Sequence, residues 1–504
     1  MEKIKFHPCV SYEKVGRFDV TRNGIQLIEN EDEIRIFNDP FRTIPLFVTR
    51  DVYSVLHVFS HFDAYFEIEG LCRDIDPVGF WEIIVFGSSL WTRTLYKGVE
   101  QMPSASTLII NKATVEYSIK RYWDFNVPED VSIDTVEGAT EGLYERLDNV
   151  FSRLERNQIY HMGMSGGMDS RLSAAFVSKY IPAENIRLFT YGFDDRILEY
   201  RYAIEVAEKL GLARPEFHKL GKRSYDDALV ELPMLSGGQI SHYHCHMYDY
   251  MKNHMPSNAR HISTYFSDAV LGWDCVHPKK IDSVSNNFYA LELRNNDLLA
   301  PEIKDAIIGD ADFIFKGYCS DSNISSMNEY KYITERNQKF HMYLASVQGR
   351  LVRNVFPYAN YELFTYALSV PIQFRNRKLL VDNILTKYYF DLSDGQCGNI
   401  SSRFQWGASY STKTDWYSFR LLNRVNAVLR KTLKGNFQFF NKYQTEEQDR
   451  LLGKCYHEAL KEATRQCVNR GLMTIDQKKH YDVLPLKPSG VAERYQIISL
   501  SQLL

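Results

Sequence analysis

Apolar and polar residues alternate in short stretches through the first 127 residues of the chain. The stretches that predict strands lie at residues 33–37, 46–49, 107–111 and 114–119. Polar or turn residues separate them, as expected for strands that bury one face. We interpret residues 88–93 and 98–106 as connecting segments. The pattern therefore predicts a smaller, strand-rich domain over residues 1–127.

The pattern changes after the polar stretch at residues 127–130, where short apolar runs begin to alternate with helical periodicity. Strands are predicted at residues 159–164, 186–191 and 260–264, and helices at residues 170–180 and 199–210. Strands that alternate with helices favour a parallel sheet with helices on both faces. We therefore predict an α/β fold class, with the parallel sheet in a main domain over residues 128–395.

Residues 396–504 have a less regular pattern, and we predict a helical C-terminal extension there. Residues 419–434 form an amphipathic and basic stretch, FRLLNRVNAVLRKTLK. Two interpretations of this stretch stay open. It is either a surface helix on the protein core or a peripheral contact with an anionic membrane or an acidic partner.

Composition narrows the class of protein. The 504 residues carry a net charge of −3, with 44% hydrophobic and 24% charged residues. These values are ordinary for a globular protein, and we expect no nucleic-acid partner. The eight cysteines form no CxxC pair, which disfavours zinc knuckles and fits a reducing compartment. The sequence has neither a signal-peptide pattern nor an apolar run of membrane-spanning length, so we expect a cytoplasmic protein.

The strongest chemical signal is the sequence MSGGMDS at residues 164–170, which follows a predicted strand and opens a predicted helix. Gly166 and Gly167 allow the backbone to approach an anion closely. The start of a helix offers unpaired N–H groups and the positive end of the helix dipole to a phosphate. Because the loop lacks the Gly-Lys-Ser/Thr ending of Walker-type loops, it predicts a nucleotide site of another type.

Polar side chains in the same loop add hydrogen-bond donors and one negative charge. Ser165 and Ser170 supply hydroxyl groups that can donate to phosphate oxygens. Asp169 would repel a phosphate, so its presence indicates a bridging Mg²⁺ ion, which binds carboxylate and phosphate oxygens together. The simpler alternative is an ordinary helix start, in which Ser165 or Asp169 is the capping residue.

The sequence SGGMDS resembles the pyrophosphate loop of N-type ATP pyrophosphatases, and the rest of the chain resembles their asparagine synthetase and β-lactam synthetase branch. Four further stretches carry this resemblance, in the order found in the family: residues 39–47, residues 99–103 with 122–124, residues 188–193 with Glu199, and residues 263–268 with 271–272. The likeness covers about residues 36–390. It implies an adenine-nucleotide α-hydrolase-like synthetase domain.

The resemblance assigns roles to matching positions. Asp169 and Asp268 would share the Mg²⁺ ion that holds the pyrophosphate. Lys378 would stabilise the charge that develops during adenylate formation or amine attack; a solvated surface lysine is the alternative. The residues that would contact the nucleotide are Ser165, Gly166, Gly167, Asp169 and Ser170 at the phosphates, and Leu188 and Gly192 at the adenosine.

The chain departs from the glutamine-using members of the family in its N-terminal region. Those members begin with a cysteine that attacks glutamine and releases ammonia, whereas residue 2 here is Glu2 and Cys9 follows Pro8. The family's PLYY-like strand also arrives early, at Pro45. We therefore interpret residues 1–127 as a truncated Ntn-hydrolase-like domain without a catalytic cysteine, and we expect no glutamine hydrolysis by this chain.

A second departure concerns the loop around Tyr265, which stands where asparagine synthetases carry a glutamate. It resembles the tyrosine with which β-lactam synthetases deprotonate an amine. A tyrosine is a weak base at its usual pKa of about 10 and needs a carboxylate neighbour. Glu292 and Glu302 are candidates for that neighbour, and a packing role for Tyr265 is the alternative. Phe266 replaces a glycine of the family loop, and Asn360 replaces the aspartate of the family's PFLD motif.

Three histidines, His242, His244 and His246, alternate along the chain around Cys245. Alternate residues share a face on a strand but not on a helix, and no fourth ligand is evident nearby in the sequence. We therefore do not expect a metal site at these histidines.

These observations favour one function over two alternatives. The leading hypothesis is a carbon–nitrogen ligase that uses ATP and Mg²⁺ to adenylate a carboxylate and transfers it to an amine. Its partners would be a carboxylate substrate and an amine donor, each a small molecule, a peptide or a glycan precursor. The alternatives are a non-catalytic scaffolding homologue within a biosynthetic complex and a different use of the same loop, such as thiolation. The sequence leaves the oligomeric state open.

Overall fold

The computed structural model describes residues 3–7, 12–127, 133–195, 197–272, 298–316, 327–375, 378–393, 456–483 and 491–504. The strands within these ranges are β1 (Ile4–Phe6), β2 (Tyr12–Lys14), β3 (Ile25–Glu29), β4 (Glu33–Asn38), β5 (Phe47–Arg50), β6 (Leu56–Phe59), β7 (Val99–Gln101), β8 (Ser106–Asn111), β9 (Tyr117–Arg121), β10 (Tyr160–Gly163), β11 (Ile186–Gly192), β12 (Glu216–Lys219), β13 (Arg260–Ile262) and β14 (Arg353–Val355).

The helices within the same ranges are α1 (Phe62–Glu67), α2 (Pro77–Phe86), α3 (Val136–Ser152), α4 (Met168–Tyr180), α5 (Leu198–Lys209), α6 (Lys222–Ser236), α7 (Cys245–His254), α8 (Ser267–Leu271), α9 (Pro301–Lys316), α10 (Met327–Lys331), α11 (Met342–Gln348), α12 (Tyr361–Ser369), α13 (Ile372–Arg375), α14 (Leu379–Tyr388), α15 (His457–Asn469), α16 (Ile475–Val483) and α17 (Val491–Ser501). A π-helix, Tyr332–His341, joins α10 to α11. Short 3₁₀ turns lie at Ala183–Asn185, His242–His244 and Phe390–Leu392.

The strand-rich N-terminal part contains two sheets, with the strand orders β2-β3-β4-β8-β9 and β1-β6-β5-β7. Most neighbouring pairs are antiparallel; the parallel pairs are β2 with β3 and β1 with β6. Ile36 of β4, Val48 of β5 and Leu108 of β8 belong to one buried apolar cluster. The two sheets therefore enclose a common core, and the prediction of a strand-rich part is confirmed.

Some predictions for this part are wrong in detail. Residues 98–106, interpreted as a connecting segment, include strand β7. The strand predicted at residues 114–119 begins later, as β9, because the Asn111 side chain accepts from the backbone N–H groups of Ala113 and Thr114 and closes a turn. Helix α2 is not predicted because its sequence is apolar on most faces, which hides the helical period.

The second part is built on a parallel sheet with the order β12-β11-β10-β13-β14. All four neighbouring pairs are parallel; Met162 of β10, for example, lies beside Leu188 of β11 and Ile262 of β13. Helix α7 packs against β11, and α3 packs against α4 and α14. The predicted fold class, an α/β parallel sheet flanked by helices together with a smaller strand-rich part, is confirmed.

The order of the strands reverses at β10. From β10 the chain continues outward to β11 and β12, and it then returns to the other side of β10 for β13 and β14. In open parallel sheets, ligands bind outside the carboxyl ends of the strands at such a switch point. The loops that follow β10 and β13 therefore mark the place where a site is expected.

A buried aromatic contact joins the two parts of the protein. Phe41, which follows β4, has no exposed area. Its ring packs edge-on against Phe266, with centroids 5.0 Å apart, and against Phe364, with centroids 5.8 Å apart. Because Phe266 lies in the loop after β13, this contact ties the strand-rich part to the site loop.

The described C-terminal helices pack onto both parts. Helix α17 contacts α2 and α6, and Trp81 Nε1 donates a hydrogen bond to the Leu472 carbonyl oxygen at 3.2 Å. The basic stretch at residues 419–434 lies outside the described residues, and the predicted domain boundaries stay predictions. No helix in the described part of the chain combines the length and the apolarity that a bilayer crossing requires.

We predict that Phe41→Ala lowers the free energy of unfolding by about 3–5 kcal/mol, because it leaves a cavity between Phe266 and Phe364. Phe41→Leu, which keeps most of the apolar volume, should cost less than half as much. Urea unfolding followed by circular dichroism measures both variants. A Phe41→Ala protein as stable as its leucine counterpart would show that this contact does not hold the two parts together.

Candidate active site

The loop after β10 wraps the start of helix α4. Gly166 has a φ of +72°, the left-handed region that favours glycine. Ser165 Oγ lies 3.2 Å from Ser170 Oγ and accepts from the Gly167 N–H at 3.3 Å, while Ser170 Oγ donates to the Gly167 carbonyl oxygen at 3.0 Å. The two hydroxyl groups therefore brace a glycine turn at the N-terminus of a thirteen-residue helix.

The capping alternative for this loop does not describe the geometry. The N-cap residue of α4 is Gly167, and no side chain caps the helix there. Asp169 lies in the first turn instead, where a carboxylate also interacts favourably with the helix dipole. The N–H groups of the first turn can therefore donate to an anion.

The structure brings Asp169, Asp268 and Lys378 together at the switch point. Lys378 Nζ lies 2.6 Å from Asp169 Oδ1, 2.7 Å from Asp169 Oδ2 and 2.9 Å from Asp268 Oδ1. The Lys378 side chain is only 11% exposed, so the surface-lysine alternative is wrong. One ammonium thus bridges two carboxylates that lie in the helices following two adjacent strands of the sheet. We call these three residues the ion triad.

Two hydroxyl groups that the sequence analysis did not identify form hydrogen bonds with the triad. Ser267 Oγ donates to Asp169 Oδ2 at 2.8 Å, and the Tyr332 hydroxyl donates to Asp268 Oδ2 at 3.4 Å. Ser267 precedes Asp268 in a motif that the family resemblance covers, so its position was available as a signal. Tyr332 lies in the π-helix, which is far from Asp268 in the sequence, and nothing in the sequence pattern links it to the site.

The charges of the triad are strongly interdependent. Burial acts to lower the pKa of Lys378, but the charges of Asp169 and Asp268 outweigh it and raise that pKa above its usual value. Burial raises the pKa of Asp268, and repulsion from Asp169 adds to this, while Lys378 opposes it. The ammonium is therefore charged at neutral pH and compensates for two carboxylates that would otherwise repel each other.

The carboxylates of the triad fit a divalent cation. An ammonium already occupies the space between Asp169 and Asp268, which shows that their oxygens converge on a positive charge. Mg²⁺ in phosphate-binding sites takes one or two carboxylates and completes its shell with phosphate oxygens and water. Within the described ranges, no group of three or more His, Cys, Asp or Glu side chains is placed to hold a metal ion.

Lys378 has a strained backbone conformation, with structural elements on both sides of it. Its own φ of +57° is in the left-handed region, which is costly for a residue with a side chain. Helix α14 begins directly after it. Shortly before it, Arg375 of α13 forms a buried ion pair with Glu329, with 2.7 Å between Arg375 Nη1 and Glu329 Oε1. The lysine is thus held in a strained conformation next to a rigid anchor, a pattern that is common at functional sites.

Phe266 adopts the left-handed backbone conformation, although it replaces a glycine of the loop that this sequence resembles. Its φ of +74° is the left-handed conformation that a glycine adopts easily, and it is the N-cap residue of α8. The buried contacts of its ring with Phe41 and Phe364 compensate for this strain. Asp268 therefore remains directed at Lys378 although the family's glycine is absent. Asn360, the other departure, caps α12 by accepting from the Leu363 N–H at 3.0 Å.

The two residues predicted to contact adenosine lie at different positions along strand β11. Gly192 is the last residue of β11, at the carboxyl edge next to the loop, and its carbonyl oxygen accepts from the Leu220 N–H at 2.7 Å. Leu188 lies in the middle of β11, paired with Met162, and is 5% exposed. The edge position of Gly192 suits a nucleotide contact, whereas Leu188 is a core residue of the sheet.

The surroundings of Tyr265 differ from those of a tyrosine base. Gln348 Nε2 donates to the Tyr265 hydroxyl at 3.4 Å, and the ring stacks on His341 with centroids 5.5 Å apart. Burial raises the pKa of Tyr265 to about 12. Neither predicted carboxylate is shown beside it, because Glu302 is exposed at the start of α9 and Glu292 lies outside the described residues. An amide therefore contacts the hydroxyl where a carboxylate was expected.

The three alternating histidines point to different neighbours. His242 Nδ1 lies 2.7 Å from Ser499 Oγ, and His246 Nε2 lies 3.0 Å from the Tyr225 hydroxyl. The His244 ring packs edge-on against Phe340, with centroids 4.9 Å apart. The side chains thus serve separate contacts and do not converge.

Neither a protein-family model nor a curated protein sequence matches this chain. Among solved structures, the chain is similar to the NH3-dependent NAD synthetase from Campylobacter jejuni subsp. jejuni NCTC 11168, solved in complex with the nitrate ion. The match has 16% sequence identity and a TM-score of 0.19, and it covers 37% of this chain and 98% of that chain. The fold assignment therefore rests on the sheet order of this chain itself.

We predict that Gly166→Ala destabilises the loop by about 1–3 kcal/mol, since a side chain at positive φ is strained. The added methyl group would also lie 2.3 Å from Tyr202 Cβ. Gly167→Ala is the matched control, because Gly167 has a φ of −66° and its added methyl group would come no closer than 3.3 Å to Ser165 Oγ. Urea unfolding of both variants is the measurement, and equal losses would contradict the described loop conformation.

Proposed function

We propose that this chain is an ATP-dependent carbon–nitrogen ligase that activates a carboxylate as an acyl-adenylate and transfers it to an amine. The observation that carries the proposal is the ion triad, which lies at the switch point of a parallel sheet beside an uncapped glycine loop. A partly buried pair of carboxylates next to the N-terminus of a helix is suited to a nucleotide that arrives with a divalent cation.

In this proposal the loop at residues 165–170 receives the phosphates of ATP. The N-terminus of α4 and the hydroxyl groups of Ser165 and Ser170 would donate hydrogen bonds to phosphate oxygens. Asp169 and Asp268 would hold Mg²⁺, which neutralises phosphate charge and so favours departure of pyrophosphate. Gly192, at the carboxyl edge of β11, is the better placed of the two predicted adenosine contacts.

Lys378 would have two successive partners. Without nucleotide it compensates for the charges of Asp169 and Asp268. A divalent cation held by the same carboxylates would compensate for these charges instead. The Lys378 ammonium would then be free to move toward the phosphates. There a fixed positive charge stabilises the negative charge that develops during transfer.

The reaction proceeds in two balanced steps. A carboxylate oxygen of the acid forms a bond with the α-phosphorus of ATP, and the bond to pyrophosphate breaks. The amine nitrogen then forms a bond with the acyl carbon, the carbon–oxygen bond to AMP breaks, and the amine gives up one proton. Because the pKa of Tyr265 is about 12 and its partner is the amide of Gln348, we propose that Tyr265 orients the substrate as a neutral phenol.

The described cysteines support a source of the amine other than glutamine hydrolysis by this chain. Burial raises the pKa of Cys245 well above its usual value, and it raises the pKa of Cys467 to about 12. Both thiols are therefore protonated at neutral pH and poor nucleophiles. Cys72 is exposed, and no acid–base partner is described for it. We propose that the amine is free ammonia or a substrate that carries its own amino group.

The non-catalytic alternative has two motivations, the altered loop at Phe266 and the short N-terminal region. The structure bears on the first of them. Since Phe266 adopts the left-handed conformation and Asp268 still reaches Lys378, the substitution leaves the triad assembled. We therefore retain the enzyme as the proposed function.

We predict that Asp169→Asn lowers acid-dependent ATP–pyrophosphate exchange about 100-fold or more, because it removes one charge that holds the cation. The measurement is isotope exchange between labelled pyrophosphate and ATP across a panel of carboxylic acids. Asp227→Asn is the matched control, since Asp227 is exposed on α6 beside Arg223, and it should exchange at the wild-type rate. An Asp169→Asn protein that exchanges as fast as wild type would overturn the proposed function.

A further inference from the structure

The π-helix between α10 and α11 forms one wall beside the ion triad. Its i→i+5 hydrogen bonding places residues four to five positions apart on the same face. Tyr332, Arg336 and His341 follow that spacing. Tyr332 reaches Asp268, and His341 stacks on Tyr265. This face therefore contacts the triad through Tyr332 and the loop after β13 through His341.

The hydrogen bonds of Asn337 fix which nitrogen of His341 carries a proton. Asn337 Nδ2 donates to the Tyr332 carbonyl oxygen at 3.3 Å. A carbonyl oxygen only accepts, so this atom must be the amide nitrogen. Asn337 Oδ1 therefore faces His341 Nδ1, at 3.3 Å, and an oxygen in that place requires Nδ1 to be the protonated nitrogen. In the neutral ring, Nε2 then carries the lone pair.

The His341 ring is both oriented and accessible. Its plane lies 14° from that of Tyr265, in a stacked pair with centroids 5.5 Å apart. Asn337 is 1% exposed, which makes the orienting amide part of the core, whereas His341 itself keeps partial exposure. In the described part of the chain, no residue forms a hydrogen bond with His341 Nε2. A base that a third group orients, with its second nitrogen open to substrate, is the arrangement that activates nucleophiles in many enzymes.

Burial and the neighbouring charged groups keep His341 neutral. Burial lowers its pKa well below the usual 6.5, and the charges of Arg336 on the same helix and of His244 from the neighbouring 3₁₀ turn act in the same direction. Tyr265, the titratable group that faces the ring from the loop after β13, is a neutral phenol at pH 7. At that pH the lone pair of Nε2 is therefore available to take a proton.

We infer that His341 is the general base of the ligase, and that Asn337 is the residue that positions it. In this step the amine nitrogen forms its bond with the acyl carbon, the carbon–oxygen bond to AMP breaks with its electron pair going to AMP, and one amine proton moves to His341 Nε2. The inference rests on the function proposed above. It supplies the proton acceptor that Tyr265, paired with an amide, does not provide.

The test separates adenylation from amine attack. With an acid that supports ATP–pyrophosphate exchange, His341→Gln should exchange at the wild-type rate and should trap its adenylate with hydroxylamine, which is uncharged at neutral pH and needs no base. With ammonium chloride as the amine, amide formation should fall about 10²–10⁴-fold, the usual contribution of a general base. Added imidazole should restore part of that rate in His341→Ala.

The matched control is His244→Gln, which changes an imidazole of the neighbouring 3₁₀ turn, His242–His244, and should leave amide formation close to wild type. Equal losses in the two variants, or loss of exchange in His341→Gln, would assign His341 a structural role and overturn the inference. Absence of exchange in the wild-type protein with every acid would instead contradict the proposed function.

A pH profile tests the same inference without removing the ring. Amide formation by the wild type should fall as pH decreases through the pKa of His341, because the protonated ring cannot accept a proton. Asn337→Asp adds a negative charge beside Nδ1, which raises that pKa and should move the acid limb of the profile to higher pH. An acid limb that stays in place in Asn337→Asp would show that another group is the base.

Discussion

The ion pairing of Lys378 with Asp169 and Asp268 is the interaction on which the site depends. Two carboxylates that contact the same ammonium lie close enough to repel each other, and partial burial strengthens that repulsion. A single ammonium, with its pKa raised by both partners, removes the conflict. In the proposed function, the same two carboxylates would hold the divalent cation that accompanies the nucleotide.

The surrounding fold brings these three groups together from distant parts of the chain. The parallel sheet places Asp169 after β10 and Asp268 after β13, on adjacent strands at the switch point. The strand-rich part contributes through Phe41, which packs on Phe266 and so supports a left-handed turn that the loop needs. Lys378 arrives at the start of α14, in a second left-handed conformation. Buried packing around these turns thus holds the strain in place.

The parts of the fold and site that could be predicted from the sequence are those set by residues close together in the chain. The parallel sheet and the loop carrying Asp169 follow from local apolar periods and glycine spacing, and the family resemblance added Asp268 and Lys378. The partners Tyr332 and His341 could not be predicted, because a π-helix has no signature in a 3.6-residue pattern. The amide beside Tyr265 was equally inaccessible, since tertiary packing alone selects that neighbour.

The most direct measurement of the central claim is a crystal structure of the protein with Mg²⁺ and a non-hydrolysable ATP analogue. The account predicts a metal ion about 2.0–2.1 Å from a carboxylate oxygen of both Asp169 and Asp268. It also predicts the triphosphate along residues 165–170, with Lys378 Nζ moved from between the carboxylates to the phosphates. A nucleotide bound elsewhere, or Lys378 still bridging both carboxylates beside a bound nucleotide, would contradict it.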